Sequence, residues 1–599
     1  MQDVPFSDPR LTRRRLIQGF AAAGTATWLG GTPGAFAKGG GPGPHHDFTR
    51  FTAIAPSVTD ELQVPAGFGA DVVIAWGDEL GDGMTFGYNA DFTAFFPLRG
   101  HHEGILWVNH EYAIPYYNTD WRSSRDATWD PRVEPYKTLM AIEKDAVGGS
   151  LVHVRRRWGQ AGAWQAVKGS RFNRRITAAG PLMPYDGPVA GSSLVPEEGA
   201  LGSLANCSGG LTPWGTLISA EENFQSYGLK RAMPFALGWD RDGDPNYYVG
   251  EPGLNAYGQT AIERPNYGYL MEVDPYTGAA VKHTALGRLH HENVTMRVAA
   301  DGRIVAYTGD DAPAADGMLF KYVSDGRYRK GMPGAEASRL LAEGRLYVAQ
   351  FLPTANDPAT DSGTGRWHPL DMSPESCAFT TRWVEQNIVA QVGGSLDQFR
   401  VPRAEDCELI PGRPRDLLVS LTSAAGLPAD RTAYGVVRLV REDTARPDET
   451  SFTWQNVLEG GQHTGFASPD NLAFSRGDQL WLATDISTSS LNVPGRGFEW
   501  HGNNALYYVP LDGPTANQAF RFANAPIRAE LTGPTLVPKA RTMFLSVQHP
   551  GEPNTADLDK PTAPAAYTSW WPEGNVSTGA NPSKPKPAVV AIRKTHKGR

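Results

Sequence analysis

Cysteine is nearly absent from this chain: Cys207, Cys377 and Cys407 are its three thiols in 599 residues. An odd number excludes complete pairing, so at least one thiol is free or bound to something, while a disulfide between Cys377 and Cys407 stays open. Long apolar runs are missing as well. The stretch that follows Thr12-Arg13-Arg14-Arg15-Leu16-Ile17 is interrupted by Gly, Thr and Pro and is too weak to span a bilayer, and no later segment is apolar enough to cross one. With Ala35-Phe36-Ala37 behind it, this N-terminus reads as a twin-arginine signal peptide over residues 1–37, cut after Ala37. Excess positive charge is lacking too. The formal charge is −8, and removing the four arginines and two aspartates of residues 1–37 takes it to −10, which argues against nucleic acid or an anionic membrane as partner. No cysteine stands at the cleavage site to carry a lipid. Residues 38–599 are therefore expected to form one soluble, monomeric domain, periplasmic or secreted. The twin-arginine export machinery carries folded proteins, which suits a chain that takes up a cofactor before it crosses.

What the chain does contain is turn chemistry. Its 66 glycines, 47 prolines and 16 tryptophans, with little helical periodicity, point to an all-β chain. Six strands share one shape, running from a turn through apolar residues to a polar end: "GILWVNHEY" from Gly104, "GTLISAEEN" from Gly215, "GRIVAYTGDD" from Gly302, "RDLLVSLTS" from Arg415, "DQLWLATD" from Asp478 and "RTMFLSVQHP" from Arg541. Six more alternate with them: "TLMAIEKD" from Thr138, "GYLMEVD" from Gly268, "GMLFKYVSD" from Gly317, "GVVRLVRED" from Gly435, "NALYYVPLD" from Asn504 and "AVVAIRK" from Ala588. This alternation predicts a six-bladed β-propeller with long inserted loops, since sheets repeated around an axis protect their edges. A pair of β-sandwiches is the structural alternative. Long surface loops are expected from Asn118 to Pro135 and from Pro550 to Pro587, and the strand Ala588 to Lys594 is expected to close the ring beside an early strand.

In a propeller the innermost strands line the channel. If the first set is innermost, its ends bring Glu111, Glu221-Glu222, Asp310-Asp311, Asp485 and His549 to one mouth. The segments that precede these strands add Cys207 in "NCSGG", Glu292 in "HHENVT", Arg403, Glu405 and Asp406 in "PRAEDCE", Asp470-Asn471 in "SPDNLAF" and Glu530 in "AELTGP". Unpaired carboxylates so gathered repel one another, and a bound polyvalent cation relieves the repulsion. Carboxylate and amide oxygens suit calcium, whereas a thiolate suits a softer metal such as iron or zinc. Each residue also has an ordinary reading: a small buried cysteine, solvated strand-end acids, a surface ion-pair arginine. The weight lies in the recurrence of polar residues at one blade position. No Ser-His-Asp pattern stands out.

Taken together and in order, "RFNRRITAAGPLMPYDGPVAG" from Arg171, "NCSGGLTPWGTLISAEEN", "HHENVT", "LFKYVSDGRY" from Leu319, "PRAEDCE", "SPDNLAF" and "TGPTLVPKARTMFLSVQHPGEP" from Thr532 resemble the PhoX family of bacterial alkaline phosphatases. The resemblance implies a six-bladed propeller whose axial site holds iron and calcium and hydrolyses phosphate monoesters, with some diesters conceivable. It implies Cys207 as the iron ligand, and Glu221 and Glu292 as metal-binding carboxylates. Arg403 would grip the substrate phosphate, acting with Glu405 as the catalytic pair, and Glu405, Asp470 and Glu530 would complete the calcium sites. Strand alternation favours Glu221 over Glu222, because it shares a face with Leu217 and Ser219. The family's arginine motif resembles Arg-Pro-Glu-Asp, and this chain has Ala404 in its middle. Two other readings compete: a calcium-dependent propeller hydrolase of the lactonase or phytase kind, and a non-enzymatic exported propeller braced by calcium.

Overall fold

The computed structural model describes residues 48–118, 136–157, 163–224, 253–254, 260–261, 265–312, 316–354, 361–422, 433–537, 539, 541–553, 567–574 and 584–595. The signal segment 1–37 lies outside these residues, as does most of the two expected loops at 118–135 and 550–587. Among the described residues no helix is long and apolar enough to cross a membrane.

The chain is all-β and propeller-like. Four separate sheets, antiparallel but for the short outer strand Tyr185–Asp186, start from the axis outward with Ala90–Pro97, Asn206–Leu211, Pro469–Arg476 and Glu530–Val537. The expectation of six separate blades needs correction. Thr295–Val298 and Ala404–Leu409 are the two ends of a single nine-stranded sheet, because the long strands Gly344–Pro353 and Ser362–Pro369 carry one outer edge across to Ser451–Glu459. The bridge leaves neither outer edge with unpaired backbone groups. Each of these axial strands touches the next in chain order, and Glu530–Val537 touches Ala90–Pro97. The C-terminal strand Ala588–Lys594 pairs antiparallel with Phe68–Ala75, Phe68 opposite Lys594, so both ends of the domain share one sheet.

Two further expectations are corrected. The first set of apolar strands is not innermost but second from the axis: Glu103–His110, Leu217–Glu221, Arg303–Asp310, Asp416–Leu421, Gln479–Thr484 and Thr542–Gln548 each pair with an axial strand on the inside. Second strands are packed on both faces and read as apolar runs; axial strands line a polar channel and lack that signal. "TLMAIEKD" is helical, inside Tyr136–Ala146, and the third strand of that sheet is Gly148–Arg156. The core lies between sheets, where Trp107, Trp164, Trp367 and Trp481 are wholly buried. All three cysteines are free, Cys377 in the helix Pro374–Ala378 and Cys407 in Ala404–Leu409, so the open 377/407 disulfide does not form.

Candidate metal centre

A single backbone device recurs where the axial strands meet the site. Pairing of axial to second strand runs Ala90 opposite His110 and then Thr93 opposite Val108, which inserts one extra residue. The same slip separates Asn206/Glu221 from Gly209/Ser219, Ala404/Leu421 from Cys407/Val419, and Pro469/Thr484 from Leu472/Leu482. His291 opposite Asp310, then Thr295 opposite Tyr307, repeats it. Such bulges bend the strand and re-aim its side chains. The re-aimed residues are Asp91, Cys207, Glu292, Glu405 and Asp470. Four of these bulges follow a residue with left-handed φ: Asn89 (56°), Ala205 (55°), Arg403 (38°) and Ser468 (48°). The carbonyls of these four, and of His290, accept the N–H of Glu111, Glu222, Thr422, Asp485 and Asp311 respectively, which places the end of each second strand over the same mouth.

The bulged backbone is tied down by polar side chains. Asn109 donates to the carbonyls of Cys207 (2.8 Å) and Ser208 (2.7 Å). Ser420 Oγ stands within hydrogen-bond reach of those of Asp470 (2.6 Å) and Asp406 (3.1 Å), Ser546 donates to that of Asp91 (2.5 Å) and Thr308 to that of Asn293 (2.7 Å). Buried backbone acceptors left unpaired would be costly, and these hydroxyls and amides prevent that.

The resulting acids form three linked groups: Asp91, Glu111 and Cys207; Cys207, Glu222 and Glu292; Glu292, Glu405 and Asp470. Within each group the ligand atoms lie within 4.8 Å of one another. Cys207 Sγ stands 3.4 Å from Asp91 Oδ2 and 3.4 Å from Glu292 Oε1. Gln548 Nε2 bridges the two acids of the first group, 2.7 Å from Glu111 Oε2 and 3.3 Å from Asp91 Oδ2. Arg403 overlooks the third. Its Nε lies 3.0 Å from Asp311 Oδ1 and its NH2 2.8 Å from Asp311 Oδ2, a two-pronged hold, and NH2 is also 2.8 Å from Glu405 Oε1. The Arg403 side chain is 29% exposed while those of Asp311 and Glu405 are 4% and 5%, so the guanidinium is the part of the trio that a solute can reach.

Burial, reinforced by neighbouring acids, pushes the carboxyls of Asp91, Glu222, Glu292, Glu405 and Glu530 well above the ordinary carboxylate range. Burial likewise moves Glu111 up to about 7 and Asp470 up to about 6, and raises the Cys207 thiol, with Asp91 the next contributor. Asp91 Oδ1 and Glu405 Oε1 are buried without a well-aligned hydrogen bond. Buried acids short of hydrogen-bond donors, with a thiol between them, fit polyvalent cations, which supply the missing positive charge.

The structure brings Cys207, Glu292, Glu405 and Asp470 together and sets Arg403 beside them. Glu530 stands outside the three groups, its Oε2 3.3 Å from His549 Nε2 and its carboxyl pushed up by burial and by the charges of Asp485 and Asp470. The preference for Glu221 is corrected. Its carboxylate is buried away from the groups, paired with Lys282 Nζ and accepting from Ser203 Oγ (2.7 Å), the N–H of Gly268 (2.9 Å) and that of Tyr269 (3.2 Å). Glu222, one step past the strand end, is the acid that faces Cys207. Alternation along one strand misled; alignment across sheets would have decided it, because Glu222 holds the position of Glu111, Asp311 and Asp485. Asp91 was missed. It lies in the segment before "GILWVNHEY", where every other sheet shows its polar residue.

No curated protein matches the chain. Among solved structures, Pseudomonas fluorescens PhoX in complex with vanadate, a transition state analogue, is 26% identical with a TM-score of 0.69, over 91% of this chain and 98% of that one. A protein of unknown function from Dyadobacter fermentans DSM 18053 is 11% identical with a TM-score of 0.35, over 88% and 100% of the two chains. The family model of alkaline phosphatase PhoX matches residues 49–551, and the chain therefore belongs to the PhoX family of alkaline phosphatases.

Proposed function

We propose that this alkaline phosphatase is exported through the twin-arginine route and hydrolyses phosphate monoesters at an axial iron and calcium site. The observation that carries the reading is the asymmetry of the three linked groups. Two contain the Cys207 sulfur and suit iron, whereas the third is all carboxylate and suits calcium. Asp91, Glu111, Cys207, Glu222 and Glu292 would hold the softer metal, and Glu292, Glu405 and Asp470, with Glu530 behind them, the calcium. Bound there, the ions would neutralise phosphoryl oxygens, orient the ester and activate or supply an oxygen nucleophile.

The chain's own residues do the rest. A phosphomonoester is a dianion, and Arg403 is the cation set at the rim of an otherwise acidic mouth. Its planar fork can hold two phosphoryl oxygens, which a lysine ammonium cannot match. Asp311 grips the guanidinium from behind and fixes its plane, so little freedom is lost when substrate arrives. Glu405, on the strand that Arg403 leads into, keeps that guanidinium next to the carboxylate group. Water then replaces the ester oxygen on phosphorus, and the leaving oxygen takes up a proton. The relative's complex with vanadate, a transition state analogue, supports the phosphatase reading.

We also infer that the nine-stranded sheet is two blades fused at their outer edges, which makes the ring six-bladed, with residues 38–599 a single monomeric domain in the periplasm or medium. The test pairs elemental analysis of the purified protein with a chromogenic phosphomonoesterase assay before and after chelation. Iron and calcium with chelator-sensitive turnover are expected, and Cys207→Ser is expected to abolish iron binding and nearly all activity. A fully active serine variant, or zinc as the only metal, overturns the assignment.

A further inference from the structure

We propose that Asn109 is a positioning residue that sets the direction of the Cys207 thiol from a neighbouring sheet. The inference rests on the reading of Cys207 as a metal ligand. Asn109 is wholly buried in the second strand Glu103–His110 and belongs to none of the three acidic groups. Its amide is used to capacity. Nδ2 donates to the consecutive carbonyls of Cys207 and Ser208, at 2.8 and 2.7 Å, and Oδ1 accepts from Trp107 Nε1 (2.6 Å) and Ser219 Oγ (2.7 Å). With two donors and two acceptor positions all engaged, the amide has one orientation.

That orientation matters because of what it joins. The carbonyls it holds belong to the bulge that turns Cys207 toward the axis. The sheet that supplies Asn109 also carries Asp91, on its axial strand, and Glu111, two residues beyond Asn109. One side chain thus locks the strand bearing the sulfur onto the sheet bearing two of the acids it meets, Asp91 at 3.4 Å among them. Trp107, wholly buried between sheets, anchors the acceptor side, and Ser219 is held in turn by Asn206 Nδ2 (2.8 Å) at the start of the Cys207 strand. Loss of the two donated bonds would take these donors from the Cys207 and Ser208 carbonyls and free the bulge to rotate.

The test measures iron per protein and the rate at which a chelator strips iron from the purified enzyme, alongside its unfolding midpoint. Asn109→Leu, close in size but unable to donate, is expected to release iron about tenfold to a hundredfold faster. Ser219→Ala, which removes one bond to Asn109 Oδ1 and leaves both donors, is expected to fall between this and wild type. Ile105→Val, a core change in the same strand, is expected to lower the midpoint and leave release unchanged, which separates positioning from general loosening. Should Asn109→Leu not accumulate folded, Ser219→Ala decides. Wild-type release from whichever of these two is soluble, with iron lost from Cys207→Ser, overturns the role of Asn109. Full iron in Cys207→Ser instead overturns the ligand reading beneath it.

Discussion

Glu221 and Glu222 are adjacent in sequence and opposite in expected consequence, which makes them the sharpest test of the site. Glu221 is half of a wholly buried ion pair with Lys282, whose ammonium also sits 4.4 Å from the Tyr267 ring centre. Glu221→Gln strips the charge and leaves Lys282 buried and uncompensated. Breaking one side of such a pair costs about 3–5 kcal/mol, roughly two to four powers of ten in the folding equilibrium. Replacing both partners, Glu221→Gln with Lys282→Met, removes the orphaned charge and is expected to recover most of that loss. Glu222 sits among Asp311, Glu111 and Glu405, whose charges together with burial already disfavour its ionised form. Glu222→Gln relieves repulsion in the metal-free protein, so stability there is expected to hold or rise while metal content falls. Denaturant unfolding of the chelated variants and elemental analysis of the untreated ones read the two effects separately. Metal loss without destabilisation in Glu221→Gln, or full metal in Glu222→Gln, would refute the assignment.

Arg403→Ala should weaken inhibition by phosphate or vanadate about tenfold to a hundredfold, the worth of a charged hydrogen-bond pair, with metal content nearly unchanged. Collapsed metal content with intact phosphate affinity would reverse the roles. In chelated protein, Glu111 held near 7 and Asp470 near 6 favour the protonated fold. That stabilisation is full below the ordinary carboxylate range and is lost as pH rises through 6 to 7. Unfolding midpoints of chelated protein should therefore drop between pH 5 and 8 while metal-loaded protein lacks the drop; a flat chelated profile contradicts the repulsive cluster. Changing Arg13 and Arg14 together to lysine should hold the protein in the cytoplasm, and exported wild type should begin at Lys38 by mass spectrometry; export of the double variant would dismiss the twin-arginine reading.

The acids at the mouth were legible because the fold repeats. Cys207, Glu292, Glu405 and Asp470 occupy one position in successive repeats, just before an apolar strand, and that recurrence survives in a bare sequence. The layer to which the strands belong did not. Apolar runs mark the second strands, whereas the axial strands are bulged and interrupted by the polar residues of the site, and their pairing signal is correspondingly faint. Nor did local periodicity distinguish the helix at Tyr136–Ala146 from a strand, since eight residues of mixed polarity satisfy either period.

Composition and motif order by themselves determined the all-β class, the family and the neighbourhood of the site, because turn residues, strand patterns and a repeated polar position are local properties. Tertiary structure alone decided which glutamate faces the thiol, that Asp91 belongs beside it, and that two outer edges merge into one nine-stranded sheet. Those outcomes depend on where a bulge falls and which side chain from another sheet holds it. Asn109 and Cys207 are 98 residues apart in the chain, and only the packing of one sheet against the next makes them neighbours.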